Sequence, residues 1–250
     1  MMSLNKMNLS EVTKKQYMYK LKANKGSISS LIFAQLIAIL FSFNGTAMSG
    51  SGTSILGIEL NYFNSDLVFA FSLIWAFITA VTITTKDYRN AEFSFINNRL
   101  SSTMSDVLFL GTMSILAGIT TFFSGFLLQD LLYFLSDSVF INQSNFLDTP
   151  IESLFGIVAT ILYLWLVSAI GYLIGSLVQL HKIFVVVIPA LLLGISLISI
   201  SNNQMIFLAH IGMFFMFETS FWLFVLKTIT ASALCFYASF LLFNRMEVRK

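Results

Sequence analysis

Apolar residues in this chain gather into six uninterrupted blocks, at about 27–48, 67–85, 107–128, 155–178, 183–200 and 221–243, with polar intervals between them. Each block approaches the roughly 20 residues that an α-helix needs to cross the hydrocarbon core of a bilayer. None shows the two-residue alternation that an outer-membrane β-strand carries over ~10 residues. The pattern therefore predicts an all-α integral membrane protein of six transmembrane helices. Only two prolines, Pro150 and Pro189, occur in the chain, which favours long helices over a turn-rich barrel. Pro189, inside the fifth block, is expected to bend that helix.

Two polar segments carry patterns of their own. In the interval Lys86–Asp106, Phe93, Ile96 and Leu100 fall at i, i+3 and i+7, which predicts a short amphipathic helix. Asp87 or Asn90 stands where such a helix needs its cap, and Thr103-x-x-Asp106 has the form of a capping box opening the third membrane helix. In residues 1–26, Leu9, Val12, Tyr17 and Tyr19 gather on one side of a helical wheel and Lys14, Lys15, Lys22 and Lys25 on the other, while Met18 and Lys20 blur the division. That segment reads either as a helix lying on an anionic leaflet or as a basic tail that only sets topology. The polar lead before the first block, with no small-residue cleavage site after it, is not the pattern of a cleavable signal peptide.

The connections differ in character. Loop 49–66 begins Ser49-Gly-Ser-Gly-Thr-Ser and reads as a flexible turn. Leu131–Leu135 prolongs the apolar run beyond Gln129 and Asp130, so the third helix is expected to project from the bilayer or to lead into an interfacial turn. Residues 204–217 are apolar yet too short for a span; they suit a re-entrant segment or a buried loop. No connection is long enough to be a second domain, so residues 1–250 read as one transmembrane domain. It comprises a basic segment 1–26, a bundle 27–243 and a tail 244–250.

Charge gives the bundle its orientation. Apolar residues make up 57% of the chain and charged residues 10%, against about 25% charged in soluble domains. Every Lys and Arg except Lys227 falls in the two termini, in 86–106 or in the turn at Lys182. The alternate loops hold only acids: Glu59, Asp66, Asp130, Asp137, Asp148, Glu152 and Glu218. By the positive-inside rule both termini are expected in the cytoplasm.

Little in the sequence points to catalysis. No G-x-x-x-x-G-K-[ST] loop, H-E-x-x-H or C-x-x-C is present. His181 and His210 fall on opposite sides of the expected topology, so no metal site is expected. The lone Cys235 lies inside an apolar block. The spans hold no paired acids of the kind an intramembrane protease needs, and no enzyme activity and no nucleic-acid partner are expected of this chain. Lys227 lies about 9 Å of helix rise from Phe221, where it either snorkels to the outer interface or lines an outer gate with Glu218. Gly171-x-x-x-Gly175 and Ala34-x-x-x-Ala38 are small-residue pairs that let helices approach closely.

The layout resembles the transmembrane subunits of ABC-2-type exporters. The features shared are the basic amphipathic N-terminal segment, six spans with both ends inside, the cytoplasmic helix after the second span, the tight fourth–fifth turn and the apolar stretch before the sixth. The run Trp165-Leu-Val-Ser-Ala-Ile-Gly-Tyr-Leu-Ile-Gly-Ser-Leu-Val-Gln179 is similar to that family's fourth span. The resemblance implies a dimer of permease subunits, identical or not, in a bacterial cytoplasmic membrane, each docking one of two ATP-binding subunits. It implies a coupling helix at about Asn90–Leu100, with Glu92, Phe93, Ile96, Asn97, Arg99 and Leu100 as docking residues. Leu9, Val12, Lys14, Lys15, Tyr19 and Lys22 of the N-terminal helix would flank it. ATP and Mg would sit on the partner, with no cofactor on this chain, and the cargo would be an amphipathic peptide, an antimicrobial or a hydrophobic drug. A substrate-binding subunit of an energy-coupling-factor vitamin importer, and a non-transport immunity or scaffold protein, are the alternatives.

Overall fold

The computed structural model describes residues 9–43, 47–52, 57–62, 65–88, 99–135, 150–201, 212–215, 218 and 220–245. Seven long helices account for most of them: α1 (Leu9–Ala23), α2 (Lys25–Ser42), α3 (Asp66–Ile83), α4 (Arg99–Leu135), α5 (Pro150–Leu180), α6 (Phe184–Ser201) and α7 (Phe221–Arg245). Among the described residues, α2, α3, α4, α5 and α7 are long and apolar enough to cross a membrane, while α6 carries a shorter apolar stretch, Phe184–Ile195. Phe33 and Leu40 are each 66% exposed and Ile74 58%, an arrangement that suits lipid rather than water as the solvent. The chain is a helical, multi-pass membrane protein.

Helix ends depart from the block boundaries in both directions. α4, at 37 residues, is about 55 Å long, well beyond the hydrocarbon thickness. It starts eight residues before the third apolar block and runs through Leu131–Leu135, where Tyr133, Phe134 and Leu135 are all exposed. The first block was expected to reach residue 48, but α2 stops at Ser42, and Ala47 already belongs to a strand. Loop 49–66 is not a simple flexible turn. β1 (Ala47–Gly52) pairs antiparallel with β2 (Gly57–Tyr62), in a register running from Ala47↔Tyr62 to Gly52↔Gly57. Ile58, Leu60 and Tyr62 alternate with polar residues at the strand period, and backbone pairing lets a Gly/Ser run serve as their partner. The expected tight turn after α5 is present at His181–Ile183, where Phe184 N–H donates to the His181 carbonyl. Pro189 lies inside α6. Of the expected re-entrant stretch 204–217, only 212–215 is described, as a helical turn; the remainder lies outside the described residues.

Packing defines two compact units along the chain, one drawn from Met1–Tyr19, Phe77–Leu108 and Leu166–Lys250, the other from Lys20–Ala76 and Phe109–Trp165. In the second unit the helices alternate in direction. Trp75 Nε1 donates to Ser30 Oγ at 2.9 Å, Gln35 meets Ser72, and Ala38 and Ile39 pack with Val68, so α2 and α3 run antiparallel. Ser72 meets Thr121 and Val68 packs with Leu128 and Leu132, which sets α4 antiparallel to α3. Gly111 faces the Trp165 ring and Gly118 the Ile161 backbone, which sets α5 antiparallel to α4. Consecutive apolar helices thus turn back on one another, as spans joined by short connections must.

A polar node fastens three of these helices. Gln35, 6% exposed, sets its Nε2 within 3.1 Å of Ser72 Oγ, 3.0 Å of Thr120 Oγ1 and 3.1 Å of Thr121 Oγ1. An amide NH₂ has two hydrogens, so two of the three hydroxyls are served at once. Other buried hydroxyls, such as Ser42, Ser114 and Thr228, donate to carbonyls one turn back, so each helix satisfies them internally. Gln35→Leu is expected to lower stability by about 1–2 kcal/mol, because it removes bonds between α2, α3 and α4 while conserving volume. A melting curve in detergent reads this directly; an unchanged midpoint would show that the hydroxyls rearrange without loss.

Candidate functional site

The functional candidates concentrate where α1, α4, α5 and α7 meet in the first unit. α4 opens at Arg99, directly after the interval 89–98. The expected docking residues Glu92, Phe93, Ile96 and Asn97 lie outside the described residues; Arg99 and Leu100 form the first turn of α4. The Arg99 guanidinium donates to the Phe243 carbonyl at 2.9 Å. That carbonyl is among the last of α7, which no intrahelical N–H serves, and a cation there also suits the helix dipole.

Ser101, 1% exposed, donates to Gln16 Oε1 at 2.7 Å and lies 3.3 Å from Thr13 Oγ1, whose own hydroxyl donates to the Leu9 carbonyl. α1 is therefore held against the start of α4. The buried stripe of α1 is polar: Thr13, Gln16 and Lys20, at spacings of three and four, with buried Asn24 following just after the helix. This corrects the two-sided reading of the wheel. Leu9 and Tyr19 are exposed, Val12 is half-buried, and Lys14, Lys15 and Lys22 are exposed, so both expected faces are available to a surface while a third faces inward. Lys20, which blurred the wheel, is buried because it belongs to that third stripe. Lys15 pairs with Glu11 at 3.0 Å in the open, a contact of little energetic weight.

Asp106 is also reassigned. A helix that begins at Arg99 cannot be capped seven residues later. The Thr103 hydroxyl donates back to the Arg99 carbonyl at 3.1 Å, and Asp106 stands inside α4, 7% exposed. Its Oδ2 accepts from the Tyr172 hydroxyl at 3.0 Å. Tyr172, 1% exposed, packs its ring 5.7 Å from that of Phe236 and 5.8 Å from that of Phe243, both on α7. Asp106 is the one buried acid among the residues whose side-chain exposure is described. The sequence pattern hid it because the apolar block begins one residue later.

α5 is drawn close to α3 by the two glycines singled out in the sequence. A Cβ on Gly171 would lie 2.8 Å from the Phe77 carbonyl oxygen and 3.1 Å from Ala80 Cβ. One on Gly175 would overlap Thr84 Oγ1 and lie 3.2 Å from Val81 Cα. One turn further along this stripe, the Gln179 side-chain amide has both polar atoms buried and no hydrogen-bond partner among the described residues.

At the other candidate, Lys227 Nζ donates to Glu218 Oε2 and stands 4.1 Å above the Phe214 ring. The two side chains are 27% and 19% exposed, so the pair is only partly hydrated. Removing one partner leaves the other charge poorly solvated. Lys227→Met is therefore expected to cost about 1–3 kcal/mol, and the double change Lys227→Met with Glu218→Gln less than the single one. Additive effects in a thermal-melt mutant cycle would contradict that coupling. Among the described residues no group of His, Cys, Asp and Glu is placed to hold a metal ion. Comparison with known protein families, with curated proteins and with solved structures finds no match to this chain.

Proposed function

We propose that this chain is the permease subunit of an ATP-driven ABC exporter. It works as a homo- or heterodimer in a bacterial cytoplasmic membrane and is coupled to separate ATP-binding subunits. The observation that carries the reading is the attachment of α1 to α4 through Thr13, Gln16 and Ser101, three residues after the interval 89–98. A basic helix with exposed Tyr, Leu and Lys side chains is thereby anchored to the first turn of α4, the helix that follows in sequence the segment expected to dock the ATPase. In this reading α6 is the fifth of six spans, both termini are cytoplasmic, and the interval 89–98 meets the ATP-binding subunit. The absence of a nucleotide loop from the sequence assigns ATP and Mg to that partner.

The cargo is an amphipathic or hydrophobic peptide, such as a toxin or antimicrobial, or a hydrophobic drug. Inside-out membrane vesicles containing this chain and its ATPase are expected to accumulate a fluorescein-labelled cationic amphipathic peptide when given ATP, and to stop when given vanadate. Equal uptake by vesicles lacking the chain contradicts the export of such cargo.

A further inference from the structure

α1 presents a basic face whose direction is fixed by the helix's own anchoring. Thr13, Gln16 and Lys20 are buried, and Thr13 and Gln16 meet Ser101. At about 100° per residue the opposite side of the helix carries Lys14, Met18 and Lys22 at i, i+4 and i+8, and Lys15 and Tyr19 form the adjoining row. All five are exposed, Met18 at 47% and Tyr19 at 41%. Glu11 is the one acid of α1 and pairs with Lys15, so this face keeps a net positive charge. A free amphipathic helix sinks an apolar stripe into the bilayer. α1 has no such stripe: its exposed apolar residues, Leu9, Met18 and Tyr19, are spread round the helix, and Val12, Tyr17 and Leu21 are half-buried. What it offers a surface is charge.

Position along the chain decides the partner. Asn24 alone separates α1 from α2, a helix long and apolar enough to cross a membrane. The Asn24 N–H donates to the Lys20 carbonyl at 2.9 Å and the Ser27 N–H to the Asn24 carbonyl at 3.0 Å, so the junction is hydrogen-bonded rather than a free tether. Lys22 therefore lies three residues from the start of a span, and Lys14 about 16 Å of helix rise from it. The potential of an anionic leaflet falls off within roughly 10 Å of its surface, so a helix lying along the leaflet keeps every lysine of this face within reach. We infer that the Lys14, Lys15 and Lys22 face of α1 lies along the leaflet that α2 enters and binds the phosphate headgroups of anionic phospholipids. Met18 and Tyr19 are seated among those headgroups, where a tyrosine's apolar ring and polar tip are both accommodated. The attraction is electrostatic and independent of the exporter reading, since it needs neither ATP nor a second protein.

The test uses the full-length chain in nanodiscs of phosphatidylcholine, alone or mixed with phosphatidylglycerol, and follows lysine acetylation residue by residue by mass spectrometry. Lys14 and Lys22 are expected to react about fivefold more slowly in the anionic discs, the weight of one lysine near such a surface, and to recover at high salt. Lys20, buried in the fold, is the internal reference and stays slow in both. The triple change Lys14→Gln, Lys15→Gln and Lys22→Gln is expected to keep the wild-type melting temperature. It is expected to lose most of the phosphatidylglycerol that the wild-type chain selects from an equimolar mixture. Equal acetylation rates in the two lipids overturn the inference, as does a triple variant that selects phosphatidylglycerol like the wild type. Protection that is the same in both lipids and appears only when a second protein co-purifies also overturns it, by giving the face to a protein. ATP-driven export is read separately, by the vesicle uptake described above, so failure here leaves that reading standing.

Discussion

Gly175→Leu is expected to remove nearly all folded protein from the membrane. A Cβ at this position already collides with the Thr84 hydroxyl and comes within 3.2 Å of Val81 Cα, so part of the obstacle is backbone. Rotating a neighbouring side chain cannot clear it, and α3 must move away from α5. Separating two helices that meet at small residues forfeits the close packing that holds them together in lipid, where no hydrophobic driving force substitutes for it. The cost is expected to exceed about 3 kcal/mol, the upper part of the range for overpacked cores. Gly171→Ala is expected to be milder but in the same direction, through the Phe77 carbonyl. Gly26→Ala is the control, because nothing lies within 4 Å of that position. Fluorescence-detected size exclusion of tagged variants measures the effect, and a normal monodisperse peak for Gly175→Leu contradicts the α3–α5 contact.

The second large effect is expected from Phe93→Asp or Ile96→Asp. Both residues lie on the apolar stripe that the i, i+3, i+7 pattern gives the interval before α4, and both fall outside the described residues. A carboxylate placed in the centre of a docking surface loses its hydration without gaining a partner. Association with the ATP-binding subunit is expected to fall by at least about tenfold, equivalent to ~1.4 kcal/mol, while membrane insertion is unchanged. Retained association in both variants would show that the stripe packs against the chain's own helices.

Much of the helical framework was legible because span length and apolarity are one-dimensional properties. The ends were not, since α4 continues through polar Ser101–Asp106 on bonds made to other helices. The hairpin escaped because Gly and Ser at Ser49–Gly52 signal a turn equally well, and their pairing depends on a strand several residues away. Gln35 and Asp106 carried no periodic signal of their own; their meaning lies in Ser72, Thr121 and Tyr172 on other helices. Gly171 and Gly175 were readable as a small-residue pair, but only the structure supplies Phe77, Ala80, Val81 and Thr84 as what they meet. The buried stripe of α1 is present in the spacing of Thr13, Gln16 and Lys20, but its polarity hides it, because an inward face ordinarily shows as apolar residues.

The proposed function requires this chain to bind a separate ATPase. Its most direct test is affinity purification of the tagged full-length chain from its native membrane in a mild detergent, followed by ATP hydrolysis in the eluate. The expected result is vanadate-sensitive hydrolysis accompanied by a stoichiometric chain bearing a nucleotide-binding loop, both depleted by Phe93→Asp. An eluate of this chain alone, monodisperse and without hydrolysis, contradicts the account.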